Sequence, residues 1–299
     1  MKLGFVGLGN MGSAMAANLQ GPHALTVHNR TLSKTEPLVN KGATRADTPG
    51  AAVGEAVITM LADDAAVEAA VFGPDGILDA LAPGAIHISM STISLALAER
   101  LAEAHAKRNQ RFVSAPVFGR PDAAAAAKLF IVAAGAPEAV AACDQVFEVL
   151  GQRTFVVSEH APNANLVKFS GNFLIAAVIQ ALGEAFALIG KAGIDRAQYL
   201  DLLVSTLFGA PVYKTYGGLI ADERYQPAGF KAALGYKDIG LALSAAQSLE
   251  VPMPVASVIA ERFLTLIAAG GRDLDWSALG LLAKRDSGVS TPLNSTDRS

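Results

Sequence analysis

The sequence predicts an α/β domain built on a doubly wound, mainly parallel sheet, followed by an all-α domain. Three observations predict it. Short apolar runs alternate with helical patterns through residues 1–160. A glycine-rich turn directly follows the first of those runs. Beyond residue 163 strand-like runs cease and long apolar helical patterns take over, until a polar tail closes the chain over 286–299. Strand and helix in alternation imply parallel strands with helices on both faces. The domain boundary falls near residue 160, leaving 161–285 for the helical domain.

The expected strands are "KLGFV" (2–6), "ALTVH" (24–28), "AVITML" (56–61), "AIHISM" (85–90), "RFVSAPV" (111–117), "LFIVAAG" (129–135) and "TFVVS" (154–158). Each is a short apolar run bounded by turn residues or by a helical pattern. Alanine-rich helices such as "NMGSAMAANLQ" and "SLALAERLAEAHAKR" separate them. Ser94 is placed to cap the second of these helices, with Leu97 and Leu101 on its buried face. Asp63-Asp64 reads as a helix N-cap rather than as paired catalytic carboxylates.

"FVGLGNMGSAMAANL" sets Gly7, Gly9 and Gly12 at G-x-G-x-x-G spacing. Gly7 permits the tight turn out of the strand, Gly9 lets the backbone approach a pyrophosphate, and Gly12 allows close helix–sheet packing. The helix opening at Asn10 and Met11 then points unpaired N–H groups at the phosphates. Position after a strand and before a helix, at the start of a βαβ unit, is the context that makes the motif a dinucleotide site. Asn29-Arg30-Thr31 ends the second strand, where an acid holds the ribose 2′-hydroxyl in NAD-specific proteins. Arginine stands there instead, and its planar fork suits a 2′-phosphate. NADP(H) is therefore favoured, with NAD(H) also possible. The backbone at Leu61 and Ala62 lies at a strand's C-terminal end and is expected to line the cofactor groove.

In "NANLVKFSGNFLIAAVIQALGEAF" (163–186), Lys168 is the only Asp, Glu, Lys or Arg between Glu159 and Glu184. Reduction of a carbonyl by hydride needs a proton delivered to the oxygen. A lysine can supply it when burial lowers its pKa from about 10.4 towards neutrality. Asn172 lies one helical turn on and shares the same face, where it can hold the substrate oxygen. A lysine snorkelling at the helix edge fits the spacing equally well.

Four blocks resemble the β-hydroxyacid dehydrogenases, the group that contains 3-hydroxyisobutyrate dehydrogenases and glyoxylate/succinic semialdehyde reductases. They are "GFVGLGNMGSAMAANL", "SAPVFGRPDAAAAAKLFIVAAG" (114–135), "NLVKFSGN" and "LGYKDIGLAL" (234–243). The loop "MSTIS" (90–94) is similar as well. The resemblance implies a Rossmann domain, an all-helical domain built for substrate binding and dimerisation, a long helix from about residue 165 that links the two, and an active site in the cleft between them. It assigns catalysis to Lys168 and Asn172, nicotinamide contacts to Thr92 and Lys237, and substrate contacts to Asp238 and to Phe118-Gly119-Arg120. It also implies a homodimer or homotetramer. One departure stands out. Many relatives read Ser-Gly-Gly where this chain reads Phe118-Gly119-Arg120, so a hydroxyl donor for a substrate carboxylate is replaced by a ring. A larger or less acidic carbonyl substrate than glycolate is the expectation. An imine reductase of the same fold and a non-catalytic NADP-binding protein are the alternatives.

Composition closes off other classes. Apolar residues make up 52% of the chain and charged residues 17%, with a net charge of −3. No basic stripe points to nucleic acid. Cys143 is the only cysteine, so an internal disulfide and a cysteine-based zinc site are excluded. No i, i+4 histidine pair suggests a metal. The N-terminal run is too short for a signal peptide, and the apolar stretch after Lys168 ends at Glu184, short for a bilayer span. A cytoplasmic enzyme is expected, with no membrane partner.

Overall fold

The computed structural model describes residues 1–288. The expected polar tail over 286–299 lies, from residue 289 onward, outside the described residues. The chain divides into two compact units, Met1–Lys168 and the residues from Phe169 onward.

In the first unit nine strands form one sheet: β1 (Lys2–Val6), β2 (Ala24–His28), β3 (Thr44–Arg45), β4 (Ala56–Thr59), β5 (Ile86–Ser89), β6 (Arg111–Ser114), β7 (Val117–Phe118), β8 (Leu129–Ala134) and β9 (Gly151–Ser158). Their order is β3-β2-β1-β4-β5-β6-β8-β7, with β9 also paired to β8. The six strands from β3 to β6 are parallel. β8 runs antiparallel to β6 and β7, and β9 is parallel to β8. From β1 the chain winds outward to β2 and β3, then returns to β4 on the opposite side of β1. That reversal opens a crevice beyond the carboxyl ends of β1 and β4, where ligands of such sheets bind.

Strands β1, β4 and β5 are buried on both faces, which is why they read as apolar runs without polar alternation, whereas Phe155, Val156 and Val157 of β9 are exposed. Leu3, Phe5, Ile58 and Ile88 point into one core with Met15 and Leu19 of the first helix, Asn10–Leu19. Val6 and Val57 point into the other, with Leu97 and Leu101 of the helix Leu95–Ala106. Two helix starts are capped as the sequence predicts. Asp63 Oδ1 accepts the Ala66 N–H at 2.9 Å, and Ser94 Oγ accepts the Leu97 N–H at 3.1 Å.

Four strands differ from expectation, β9 among them because it begins at Gly151 rather than Thr154. β3 has two exposed residues and carries no apolar run that would announce it. The expected strand 111–117 is interrupted, and its second half becomes β7; Pro116 sits in the break and has no N–H to continue a ladder. The expected strand 56–61 ends at Thr59.

Among its described residues, the second unit has helices as its regular elements, with one isolated bridge between Lys231 and Asp275. The helix Pro162–Lys191 enters it, and the helices Arg196–Val204, Pro211–Ala221, Ala232–Ser248, Pro254–Ala268 and Leu279–Asp286 complete it. Ile179, Phe186, Phe263 and Trp276 anchor its core. Gly235 lies so close to Phe263 that a Cβ there would come within 2.8 Å of the ring. By length and composition alone, Pro162–Lys191 is long and apolar enough to cross a bilayer. It also buries the polar side chains of Asn165, Lys168, Asn172 and Gln180.

Candidate active site

The glycine turn occupies the carboxyl end of β1. Gly7 has φ +104°, a conformation that a side chain disfavours, and its N–H donates to His28 O at 3.0 Å. A Cβ on Gly12 would fall 1.9 Å from Gly7 O, so the helix can approach the turn only with glycine there. Gly9, by contrast, is exposed, and a Cβ on it would meet nothing within 4 Å. Open space therefore lies above the first turn of the helix, where the N–H groups of Asn10 and Met11 lack intrahelical acceptors. An anionic pyrophosphate fits that cradle.

Asn29 braces the turn. Its Oδ1 accepts the Leu8 N–H and its Nδ2 donates to Thr31 O, both at 2.9 Å. Arg30 and Thr31 are exposed beside it. Leu61 and Ala62 follow the carboxyl end of β4, and Thr92 follows that of β5. These loops are tied together by residues whose importance the sequence reading missed. The Ser91 hydroxyl accepts the Leu61 N–H at 2.8 Å. Buried Asn165 accepts the Ile93 N–H at 3.2 Å and donates to Ser114 Oγ at 2.7 Å. Thr92 is thus held between two pinned neighbours.

Lys168 lies at the end of the same unit and is only 8% exposed. Its Nζ sits 4.1 Å from the centroid of the Phe118 ring. Phe118 itself packs on Val132, Ala134 and Ala164. Gly119 follows with φ +147°, where a Cβ would strike Leu129 at 2.5 Å. Arg120 is half-buried, with its Nη1 sealed from solvent.

In the second unit three predicted residues meet. Asn172 Nδ2 donates to Asp238 Oδ2 at 2.5 Å, and Lys237 Nζ approaches Asp238 Oδ1 at 3.1 Å. Asp238 is 2% exposed and Asn172 3%. The carboxylate is therefore held between the Asn172 amide and the Lys237 ammonium, and its acceptance of the amide N–H fixes the Asn172 side chain. None of the predicted site residues lines the 210 Å³ cavity found elsewhere in this unit, beside Phe186, Arg196, Glu223 and Lys284. There burial raises the Glu223 carboxyl's affinity for protons, but hydrogen bonds from Lys284 and Arg196, each 2.7 Å, outweigh it and hold the group below the usual range. Among the described residues, no cluster of three His, Cys, Asp or Glu side chains is placed to hold a metal.

Comparison with known proteins identifies the family. A family model described as the NAD binding domain of 6-phosphogluconate dehydrogenase matches residues 2–158. A second, described as NAD-binding of NADP-dependent 3-hydroxyisobutyrate dehydrogenase, matches residues 163–282. The chain is 49% identical over 282 residues to an uncharacterized oxidoreductase, YfjR, of Bacillus subtilis, covering 93% of this chain and 98% of the relative. It is 34% identical to glyoxylate/succinic semialdehyde reductase 1 of Arabidopsis thaliana, over 93% of this chain and 97% of that one. The crystal structure of a 3-hydroxyisobutyrate dehydrogenase from Salmonella typhimurium superposes with a TM-score of 0.84 at 26% identity, covering 94% of this chain and 99% of that chain. With a glycine turn of this kind and family matches across both units, the chain belongs to the β-hydroxyacid dehydrogenase family of NAD(P)-dependent oxidoreductases.

Proposed function

We propose that this protein is an NADP-preferring oxidoreductase acting on a small carbonyl compound or the matching β-hydroxy acid, with Lys168 as its general acid and base. The observation that carries the reading is the burial of Lys168. Among the described residues it is the one lysine or arginine that is buried, and an ammonium is rarely kept in such a place without a task. When bound, a nicotinamide dinucleotide would supply the hydride chemistry, to the carbonyl carbon or from the alcohol. Lys168 Nζ gives a proton to the carbonyl oxygen as negative charge grows there, and recovers it in the reverse direction. The Asn172 amide carries two N–H donors; one is held by Asp238, and the other orients the substrate oxygen. Asp238 thus acts on substrate through Asn172 and Lys237. The Gly119 N–H and the Arg120 guanidinium receive the substrate's distal polar group.

Gly7, Gly9, Asn10, Met11 and Gly12 would cradle the pyrophosphate, Leu61 and Ala62 would line the groove, and Thr92 and Lys237 are assigned to the nicotinamide by the family resemblance. Asn29 holds the turn, while Arg30 and Thr31 receive a 2′-phosphate, the basis for preferring NADP(H) over NAD(H). Exposed Leu174, Leu188, Leu207 and Val258 on the helical unit support assembly as a homodimer or homotetramer. A cytoplasmic location goes with this reading.

A substrate panel tests it. Glyoxylate, succinic semialdehyde, 3-hydroxyisobutyrate, butanal and a cyclic imine are each offered with NADPH and NADH, or with the oxidised forms for the hydroxy acid. The proposal expects turnover of an aldehyde or hydroxy acid, faster with the 2′-phosphorylated cofactor. Turnover of the imine alone transfers the chain to the imine reductases. NADPH binding without any turnover leaves a non-catalytic binding protein.

A further inference from the structure

We infer that Phe118 is a positioning residue for Lys168, fixing the amine by presenting its ring face to Nζ. The inference rests on the role proposed above for Lys168 and deepens it. At 4.1 Å from the centroid, Nζ lies well inside the range of about 6 Å over which an aromatic face attracts an ammonium. The attraction grows where water is excluded, and Lys168 is 8% exposed.

The ring is itself held in place. Phe118 pairs in register with Phe130 across β7 and β8, and it packs on Val132, Ala134 and Ala164. Ala164 lies one helical turn before Lys168, so ring and lysine lean on the same face of one helix. A lysine side chain otherwise has a flexible four-carbon stem and a rotatable head. The Phe118 contact removes part of that freedom before substrate arrives, which is what a proton donor needs in order to meet a reacting oxygen in register. Because one side of the amine is covered by the ring, the reacting oxygen must reach Nζ from another side. The group next to the reacting carbon then faces an apolar ring, and this favours carbonyl compounds with an apolar neighbouring group.

Two measurements test the inference on the full-length protein. Nuclear magnetic resonance with ¹³C at the lysine Cε, assigned by Lys168→Arg, reports whether the Lys168 Cε protons feel the ring current. Steady-state reduction of butanal and succinic semialdehyde with NADPH reports kcat and KM. The inference expects an upfield-shifted Lys168 signal that persists in Phe118→Tyr and disappears in Phe118→Leu, which keeps apolar bulk without a π face. It expects kcat in Phe118→Leu to fall about 2- to 30-fold, to be rescued in Phe118→Tyr, and KM to change less than kcat. An unshifted wild-type signal overturns it. So does a signal lost in Phe118→Leu with kcat intact, or an equal loss of kcat in Leu and Tyr variants. Should Lys168→Ala keep full activity while the ring shift is present, the general-acid role fails and the Phe118 contact stands as structure only.

Discussion

Acid should destabilise the first unit through a pair of histidines buried behind its sheet. Thr59 Oγ1 contacts His87 Nε2 at 3.0 Å, His87 Nδ1 contacts His105 Nε2 at 2.9 Å, and His105 Nδ1 contacts Gln110 Oε1 at 2.7 Å. The Gln110 amide nitrogen donates to Leu78 O and Leu81 O, so Oε1 is the acceptor and His105 Nδ1 carries its proton. The directions then propagate: His105 Nε2 accepts from His87 Nδ1–H, and His87 Nε2 accepts from the Thr59 hydroxyl. Every ring nitrogen is satisfied only while both imidazoles are neutral. Both rings are fully buried. Burial, then the charge of His105, lowers the His87 pKa well below 6.5. Burial lowers His105 to about 4, with the Gln110 hydrogen bond opposing and Arg108 adding to the shift. A histidine whose folded pKa lies below its unfolded one contributes stability that is complete above about pH 6.5 and is lost as the pH falls towards the folded pKa. For His105 alone, the drop from 6.5 to about 4 corresponds to about 3 kcal/mol. Hydrogen exchange of the β5 amides against urea at pH 7.0 and 4.5 measures it, because those amides report the first unit alone. Most of that loss should appear in the wild type, and His105→Gln should flatten the pH dependence. A wild-type stability that falls no more than the variant's refutes the neutral relay.

Two other outcomes follow from the same reasoning. Asp238→Ala removes the shared acceptor of Asn172 and Lys237; breaking a buried pair of this kind costs about 3 kcal/mol, so urea should unfold the second unit earlier, and kcat/KM should fall by about 10-fold or more as Asn172 loses its orientation. Arg30→Ala should weaken NADPH binding by about 10-fold or more and leave NADH almost unchanged, as read by titration calorimetry.

Much of the fold was legible because its signals are local. The β1 run, the glycine turn and the Asp63 and Ser94 caps each depend on residues within a few positions of one another. The two-sided burial of the sheet left continuous apolar runs that marked β1, β2, β4 and β5. What stayed hidden was carried by distant partners. Asn165 joins Ile93 and Ser114 across more than fifty positions, and no periodicity in "NANLVK" announces it. Ser91 is a small polar residue in a loop whose bond to Leu61 exists only once β4 and β5 lie side by side. Asp238 was visible as a charge but not as the acceptor that fixes Asn172. The Phe118 ring stood out as a missing hydroxyl, yet its place over the lysine needed the β7–β8 pairing. β3 was missed because two exposed residues carry no apolar run.

The claim on which the mechanism turns is that the amine of Lys168 moves the proton. Measurement of kcat/KM for Lys168→Ala, alongside NADPH affinity in the same preparation, tests it most directly. The account predicts a fall of about 100-fold or more in kcat/KM with cofactor affinity retained. Near wild-type turnover in that variant contradicts it.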